Sequence, residues 1–187
     1  MTPGTPPGRV IGVVGPSGVG KDTLMLALTR ARPGLGTVRR VVTRPRDLGG
    51  EAYDALDPAA FEDLRTRGAF CLDWQAHGLH YGIPAQALDR AAAGEDLLIN
   101  LSRAVLVQAQ SRFPRFTVLS VTARPETLRA RLRARGREDA GEISSRLGRA
   151  GAALPPGLTV CTVANDGPIG HAVTHALSCL FPQKVGA

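Results

Sequence analysis

A glycine-rich loop that joins an apolar run to a helical segment constrains this chain more than any other feature. Val10–Val14 is rich in β-branched residues and is typical of a buried parallel strand, and 22–32 has the apolar spacing of a helix. Between them, glycines let successive backbone N–H groups point at phosphate oxygens, and Lys21 can reach the outer phosphates. We therefore predict an ATP-binding loop with Lys21 as its catalytic cation; a glycine-rich turn with a chance lysine is the alternative. The predicted ATP-binding residues of this segment are Gly15, Pro16, Ser17, Gly18, Val19, Gly20, Lys21, Asp22 and Thr23.

Asp22 departs from the usual pattern of such loops, in which a Ser or Thr after the lysine places its hydroxyl on magnesium. Magnesium favours hard carboxylate oxygens and keeps several waters, so Asp22 can hold Mg2+ directly or through water. An acidic residue in the first turn also favours the helix dipole without touching a metal. The sequence predicts Mg2+ as the cofactor and leaves both roles of Asp22 open.

Strand-like and helical segments alternate along most of the chain. At 187 residues the chain fits one compact domain with a workable core. The alternation predicts an α/β, three-layer fold in which a parallel sheet is flanked by helices. Besides the two segments around the loop, the predicted strands are 96–101, 116–121 and 158–164, and the predicted helices are 58–67, 85–93, 103–112, 125–135, 142–152 and 168–180.

The basic residues are almost all arginine. The net charge is +7, and only Lys21 and Lys184 are lysines among 23 basic positions. The planar guanidinium grips small phosphates in a bidentate manner, whereas the stacking rings of single-strand nucleic-acid binders are scarce here. We expect small phosphorylated partners and neither nucleic acid nor membrane, and the oligomeric state is left open.

The chain also lacks the patterns of secreted and membrane proteins. No apolar run approaches the roughly 18–20 residues of a membrane span, and 1–8 has neither the charged start nor the apolar centre of a secretion signal. Cys71, Cys161 and Cys179 are an odd number at wide spacings, which predicts neither disulfides nor a zinc site. We expect small core cysteines and a cytoplasmic location.

Four segments that follow the phosphate loop resemble the guanylate kinase family in their order. They are 39–46 (RRVVTRPR), 49–53 (GGEAY), 68–74 (GAFCLDW) and 77–84 (HGLHYGIP). Those enzymes carry TTR-x-PR-x-GE, phenylalanine-x-glutamate-tryptophan and G-x-Y-Y-G-[ST] in the same succession. The resemblance implies that Arg44, Tyr53 and Tyr81 bind the acceptor's phosphate, with Arg39, Arg40 and Arg46 as helpers. A solvated surface charge is the alternative for each arginine alone.

A second arginine cluster resembles the family's lid, which has the pattern RL-x-x-RG…RL. Leu128 and Leu132 are four apart and can face the core, whereas Arg131 and Arg135 share another face of the helix. Such a lid places positive charge over the transferring phosphoryl group and excludes water. The implied catalytic arginines are Arg131, Arg135 and Arg146, with Arg137 behind them; a solvated helix face is the alternative.

The resemblance covers nearly the whole chain and implies a single kinase domain, 1–187, of the nucleoside-monophosphate-kinase type. Its parts are a loose tail (1–8), the strand and phosphate loop (9–33), an acceptor-binding insertion (34–84) and a helical lid region (125–152). Asn165, before Asp166 and Gly167, resembles the adenine-side loop and is assigned to ATP, although Asn-Asp-Gly is also an ordinary turn.

Three positions depart from the family's scheme for reading guanine. Ile83 stands where a hydroxyl donates to O6, and Asp73 and Asn100 stand where a glutamate and an aspartate are expected. Leaving base groups unpaired costs about 1–3 kcal/mol each, so GMP should be a poor substrate.

Several segments instead resemble the ribose 1,5-bisphosphate phosphokinases of phosphonate degradation: Gly-Lys-Asp in the loop, Gly-Gly-Glu, W-x-A-H-G-L-x-Y-G-I-P and N-x-S-R-A. The resemblance implies ATP-dependent conversion of α-D-ribose 1,5-bisphosphate to 5-phosphoribosyl 1-diphosphate, a precursor of NAD. Asp73, Asn100 and Arg103 are then further acceptor-binding residues; Asp73 or His77 orients sugar hydroxyls, or each is a structural hydrogen-bonder. The alternatives are a guanylate kinase and a non-enzymatic binding module, which would tend to lose Lys21 and the lid arginines.

Overall fold

The computed structural model describes residues 6–45, 53–135 and 153–182. Two sheets organise this part of the chain, a parallel five-stranded sheet and a smaller four-stranded sheet. The strands are β1 (Val10–Val14), β2 (Leu35–Val38), β3 (Val41–Val42), β4 (Asp54–Ala55), β5 (Phe70–Ala76), β6 (Leu79–Pro84), β7 (Asp96–Asn100), β8 (Phe116–Thr122) and β9 (Val160–Ala164). The helices are α1 (Lys21–Ala31), α2 (Pro58–Thr66), α3 (Gln86–Ala92), α4 (Leu106–Arg112), α5 (Pro125–Arg135) and α6 (Ile169–Leu180).

The parallel sheet has the strand order β2-β7-β1-β8-β9, with β1 at its centre. All five residues of β1 are buried, as a strand covered on both faces requires. One face packs against α1 and α6 through residues such as Leu24, Leu28 and Ala176. The other packs against α3, α4 and the smaller sheet through Ala87, Leu106 and Leu72. The predicted three-layer α/β fold is confirmed.

The smaller sheet has the order β4-β3-β6-β5. Strands β5 and β6 form a hairpin whose turn residues, His77 and Gly78, have φ of 53° and 72°. Positive φ at both central residues is typical of tight hairpin turns that match the twist of the strands. Helix α2 covers one face of this sheet, where the rings of Phe61 and Phe70 stack with centroids 4.7 Å apart.

The predicted strands and helices within the described residues are present, with ends shifted by a few residues, and the helix predicted at 142–152 lies outside them. The region that begins at residue 34 differs from the prediction. Leu35–Val38 is the edge strand of the parallel sheet, because it pairs with β7 from Leu35 opposite Asp96 to Val38 opposite Ile99. The smaller sheet therefore begins after β2, and its two-residue strands β3 and β4 carry too little apolar pattern to be predicted.

The tail predicted to be loose through residue 8 is anchored at its described end. The Gly8 N–H donates to the Ala91 carbonyl at 2.7 Å, and Arg115 donates to the Pro7 carbonyl at 2.8 Å. Gly8 is buried, and its backbone lies so close to Glu95 that a Cβ would collide with the Glu95 carbonyl oxygen. The prediction of a loose segment is therefore wrong for Pro7 and Gly8.

The cysteines also differ from the prediction. Cys161 of β9 and Cys179 of α6 form a disulfide, with Cα atoms 6.1 Å apart, so the expectation of unpaired core cysteines is wrong for these two. Helix α6 folds back onto the strand that precedes it, which brings together cysteines that are 18 residues apart. Cys71 is a free, buried cysteine, and burial raises the pKa of its thiol to about 11. Across the described ranges, no helix has the length and apolar character to cross a membrane.

Candidate active site

The predicted phosphate loop connects β1 to α1 as expected. Gly20 precedes the helix with φ of 92°, in the left-handed region that favours glycine. A Cβ at Gly20 would lie 2.7 Å from Nδ2 of Asn165, so the close packing also requires glycine there. Val19 is fully buried and anchors the loop in the core, which leaves the backbone around it to line a phosphate site.

Lys21 folds back over this loop. Its Nζ donates to the carbonyl oxygens of Gly15 and Pro16 at 2.8 Å and 3.2 Å. The ammonium group thus lies at the loop and not in bulk solvent. In this position it can meet the outer phosphates of a bound nucleotide. Asp22 and Thr23 follow in the first turn of α1, and both are exposed.

The Val19 carbonyl joins the loop to two distant segments. It accepts hydrogen bonds from Nη1 of Arg131 at 3.1 Å and from Nδ2 of Asn165 at 2.8 Å. Asn165 is only 4% exposed, so its amide acts on the loop from the protein interior. The structure therefore brings Arg131 and Asn165 to the predicted phosphate site, with Asn165 placed to position the loop.

Helix α5 carries the described part of the predicted lid. Leu128 and Leu132 are buried, as their spacing predicted, and Arg131 points to the phosphate loop from another side of the helix. The side chain of Arg135 and all of Arg137 and Arg146 lie outside the described residues.

Asp166 fixes the start of this helix. Its Oδ1 accepts from the Arg124 N–H at 2.8 Å and from the Thr127 hydroxyl at 2.7 Å. The hydrogen bond from the Arg124 backbone, followed by that from Thr127, holds the pKa of Asp166 below its ordinary value. The carboxylate is therefore charged at neutral pH, and its stabilising contribution is lost only as the pH falls through that lowered pKa. Asp166 was not predicted as a lid anchor, because Asn-Asp-Gly is also the composition of a simple turn.

The smaller sheet presents an aromatic and cationic cluster on the face that packs toward the core of the parallel sheet. The rings of Trp74 and Tyr81 stack with centroids 5.2 Å apart and an interplanar angle of 5°. The Arg40 guanidinium lies 5.3 Å from the Tyr81 ring and 5.9 Å from the Trp74 ring. Tyr81 and Arg40 were predicted for the acceptor region, whereas Trp74 was not. The chain's single tryptophan, one residue from a predicted ligand, was the signal available for it.

A second pair lies at the other edge of this sheet. Arg44 is 5.5 Å from the ring of Tyr53, and the Tyr53 hydroxyl donates to the Pro45 carbonyl at 2.5 Å. The structure thus brings together Arg44 and Tyr53, two of the predicted phosphate ligands. Arg39 instead pairs with Asp54 at 3.5 Å, and Arg46 lies outside the described residues.

Asp73 does not share the face of Tyr81. It is paired across the hairpin with Gly82, whose side-chain position would meet the Phe70 ring on the α2 side. The geometry therefore does not bring Asp73 to the other predicted acceptor ligands.

The remaining predicted positions lie at or near the carboxyl end of β7 and within β6. Asn100 ends β7, is 4% exposed, and donates through Nδ2 to Oδ1 of Asp22 at 3.3 Å. Arg103 begins the short 3-10 turn that follows this strand. Ile83 is fully buried in the core. The contact between Asn100 and Asp22 was not predicted, although both positions depart from the usual pattern and could have suggested each other.

Known proteins resemble this chain over most of its length. Residues 11–147 match the family model described as an AAA domain. The ribose 1,5-bisphosphate phosphokinase PhnN of Ruegeria sp. (strain TM1040) is 52% identical over 178 residues, which cover 95% of this chain and 94% of that protein. The protein of the same name from Pseudomonas fluorescens (strain SBW25) is 44% identical over 183 residues, covering 92% of this chain and 95% of that protein.

Solved structures show the same fold at low sequence identity. A guanylate kinase from Anaplasma phagocytophilum superposes with a TM-score of 0.66 at 19% identity, covering 97% of this chain and 88% of that one. A sugar kinase from Janibacter sp. HTCC2649 gives a TM-score of 0.57 at 20% identity, covering 93% of this chain and 95% of that one. The family model and the two curated relatives span most of the chain, so the chain belongs to the ribose 1,5-bisphosphate phosphokinase family, with an AAA domain at residues 11–147.

Proposed function

We propose that this protein transfers the terminal phosphoryl group of ATP to α-D-ribose 1,5-bisphosphate, giving 5-phosphoribosyl 1-diphosphate and ADP. A non-bridging oxygen of the acceptor's 1-phosphate attacks the γ-phosphorus. The bond from the γ-phosphorus to the β,γ-bridging oxygen breaks, and ADP leaves with that oxygen. This acceptor fits the name carried by relatives that are 44% and 52% identical to the chain.

The observation that carries the proposal is the fate of the three positions that would read a guanine base. Ile83 is buried in the core, Asn100 is hydrogen-bonded to Asp22, and Asp73 is paired with Gly82 on the face of the hairpin that α2 covers. A sugar without a base leaves no purine groups unpaired at such a site, whereas GMP binding would lose free energy for each base group left without a hydrogen bond. The acceptor that best suits these side chains therefore has phosphates and no base.

Cationic groups supply what a sugar bisphosphate needs. Arg40 lies beside Trp74 and Tyr81, which belong to the neighbouring strands β5 and β6. Arg44 lies beside Tyr53, and both are on loops that flank β3 and β4. Arginine can hold a phosphate through two parallel N–H donors, and a tyrosine hydroxyl can add a third. We assign these two groups to the acceptor's phosphates, with Arg103 as a further ligand.

The reaction needs alignment and positive charge more than proton transfer. A phosphate acceptor is already ionised at neutral pH, so no general base is required. Lys21, at the loop carbonyls, neutralises charge on the outer phosphates, and Arg131 adds charge from the lid while it holds the Val19 carbonyl. The same proposal includes Arg135 and Arg146 as lid arginines that stabilise the transferring phosphoryl group when the lid is closed.

The residues of the loop fit Mg2+ that is bound together with the nucleotide. Among the described residues, no group of three or more His, Cys, Asp or Glu side chains gathers to hold a metal alone, but nucleotide-bound magnesium needs only one or two protein carboxylates. Asp22 offers an exposed carboxylate in the residue after Lys21. When bound, Mg2+ would neutralise negative charge on the nucleotide's phosphates, with Asp22 as the side chain that would hold it.

Phosphorus NMR of the reaction mixture tests the product directly. Wild-type protein with ATP, magnesium and ribose 1,5-bisphosphate should convert the 1-phosphate resonance into the two coupled resonances of a diphosphate, while ADP appears in equal amount. The matched reaction with Lys21→Ala should leave the sugar signals unchanged. ADP formed with free phosphate and without the coupled pair would mean hydrolysis, and would refute the proposed transfer.

A further inference from the structure

The first turn of α1 and the end of β7 meet through one side-chain pair. Asn100 is the last residue of β7, which lies beside β1 in the parallel sheet, and it is 4% exposed. Its Nδ2 donates to Oδ1 of Asp22 at 3.3 Å, although the two residues are 78 positions apart. A buried amide is thus held against an exposed carboxylate of the phosphate loop.

The chemistry of this pair is the reverse of the usual arrangement. P-loop enzymes commonly hold the nucleotide's magnesium with the Ser or Thr hydroxyl that follows the lysine and with an aspartate from a separate segment. Here the residue after Lys21 is the carboxylate, and the partner on the separate segment is a neutral amide. One carboxylate is present in either arrangement, but it has changed position.

Physical constraints explain why the two changes belong together. Two carboxylates at this separation would repel, and one would be driven to take up a proton. An amide avoids this cost, because its N–H donates to one oxygen of the carboxylate and leaves acceptor capacity for a cation. Since Asn100 is fixed by strand pairing with Val13, it can hold the more exposed Asp22 in one orientation.

We propose that Asn100 is a positioning residue that orients Asp22 toward the nucleotide-bound metal, as part of an exchanged carboxylate–amide pair. This inference rests on the proposed function only in requiring a metal–nucleotide complex. It replaces direct acceptor binding as the role of Asn100, because its amide nitrogen is engaged on the nucleotide side of the site. Groups that orient metal ligands typically change metal affinity 10–100-fold when removed.

The first test measures metal affinity without any acceptor. Binding of Mn2+ to the protein–ADP complex, followed by electron paramagnetic resonance, should be about tenfold weaker in Asn100→Leu than in wild type. The KM for the sugar bisphosphate should change less than about twofold. Gln110→Leu is the matched control, because it removes an exposed side-chain amide on α4 that donates to the Gly157 carbonyl, away from the phosphate loop. It should match wild type in both measurements.

The second test restores the usual arrangement, with a hydroxyl after Lys21 and a carboxylate at the end of β7. Asp22→Ser alone should weaken Mn2+ binding about 10–100-fold, and the double variant Asp22→Ser/Asn100→Asp should recover to within about threefold of wild type. Asn100→Asp alone should lower the melting temperature of the nucleotide-free protein by about 2–4 °C through carboxylate repulsion, and the added Asp22→Ser should reverse that loss.

Two results would overturn the inference. One is an Asn100→Leu variant with unchanged Mn2+ affinity and a raised KM for the acceptor, as direct acceptor binding requires. The other is a double variant no better than Asp22→Ser, and this comparison decides the matter if Asn100→Leu does not fold. Neither metal measurement uses ribose 1,5-bisphosphate, so failure of the proposed acceptor would be seen separately as lack of turnover in wild type.

Discussion

Replacing Lys21 with alanine should lower kcat by about a thousandfold or more, the largest effect expected for any single side chain in this protein. Its Nζ lies 2.8 Å from the Gly15 carbonyl and 3.2 Å from the Pro16 carbonyl, so the positive charge is already placed at the loop before nucleotide arrives. A charge fixed in advance stabilises the transferring phosphoryl group without reorganisation. Coupled measurement of ADP release with saturating ATP and acceptor gives kcat directly.

Lys184→Ala provides the matched control, because these two residues are the chain's lysines. It should turn over at the wild-type rate. A Lys21→Ala variant that folds, as judged by an unchanged circular dichroism spectrum, and retains full turnover would remove Lys21 from catalysis and with it the assignment of the loop.

Replacing Arg131 with methionine should lower kcat about 10²- to 10³-fold. The variant keeps the length of the side chain and loses both the charge and the donor that reaches the Val19 carbonyl at 3.1 Å. The Val19 carbonyl still receives Asn165 at 2.8 Å, so the loop remains anchored and the loss should fall on the chemical step. Single-turnover rates with preformed ternary complex would isolate that step.

Two variants separate charge from packing in this prediction. Arg133→Met removes an exposed arginine from the same helix and should leave kcat within about twofold of wild type. Asn165→Ala removes the other donor to the Val19 carbonyl without removing a charge. It should lower the melting temperature, and it should lower kcat less than Arg131→Met does. An Arg131→Met variant as active as Arg133→Met would contradict the proposed role of the lid.

The sequence was informative where the functional groups are contiguous. The phosphate loop could be predicted because strand, glycines and lysine lie within a dozen residues and each has a local physical reason. Leu128 and Leu132 could be placed in the core for the same reason, since helical periodicity acts over one turn. These features are set by short-range geometry that a pattern of residues expresses directly.

The contacts that join the site across the fold could not be predicted in the same way. Asn165 reaches Val19 over 146 positions, and Asn100 reaches Asp22 over 78. Such pairs depend on the order of strands in the parallel sheet, which single-segment patterns do not contain. The resemblance to guanylate kinases assigned Asn100 to the acceptor, whereas strand order places it beside the phosphate loop.

The smaller sheet shows a different limit. Strands β3 and β4 have two residues each, so their apolar pattern is too short to be recognised. Asp73 was assigned to the acceptor with Tyr81 by resemblance, yet Asp73 pairs with Gly82 while Tyr81 pairs with Trp74, so the two side chains lie on opposite faces of the hairpin. Cys161 and Cys179 were expected to be unpaired because they are widely spaced in the sequence. Their spacing does not show that α6 packs back onto β9 and brings the two cysteines together.

The preference for a baseless acceptor is the central claim, and the ratio of kcat/KM for ribose 1,5-bisphosphate and GMP tests it most directly. Both acceptors would be measured side by side with the same ATP, magnesium and enzyme concentrations. The burial of Ile83, the engagement of Asn100 and the orientation of Asp73 predict a ratio of at least about a hundredfold in favour of the sugar bisphosphate, since several unpaired base groups each cost about 1–3 kcal/mol. Equal values, or a preference for GMP, would contradict the account and would mean that side chains other than these three recognise the base.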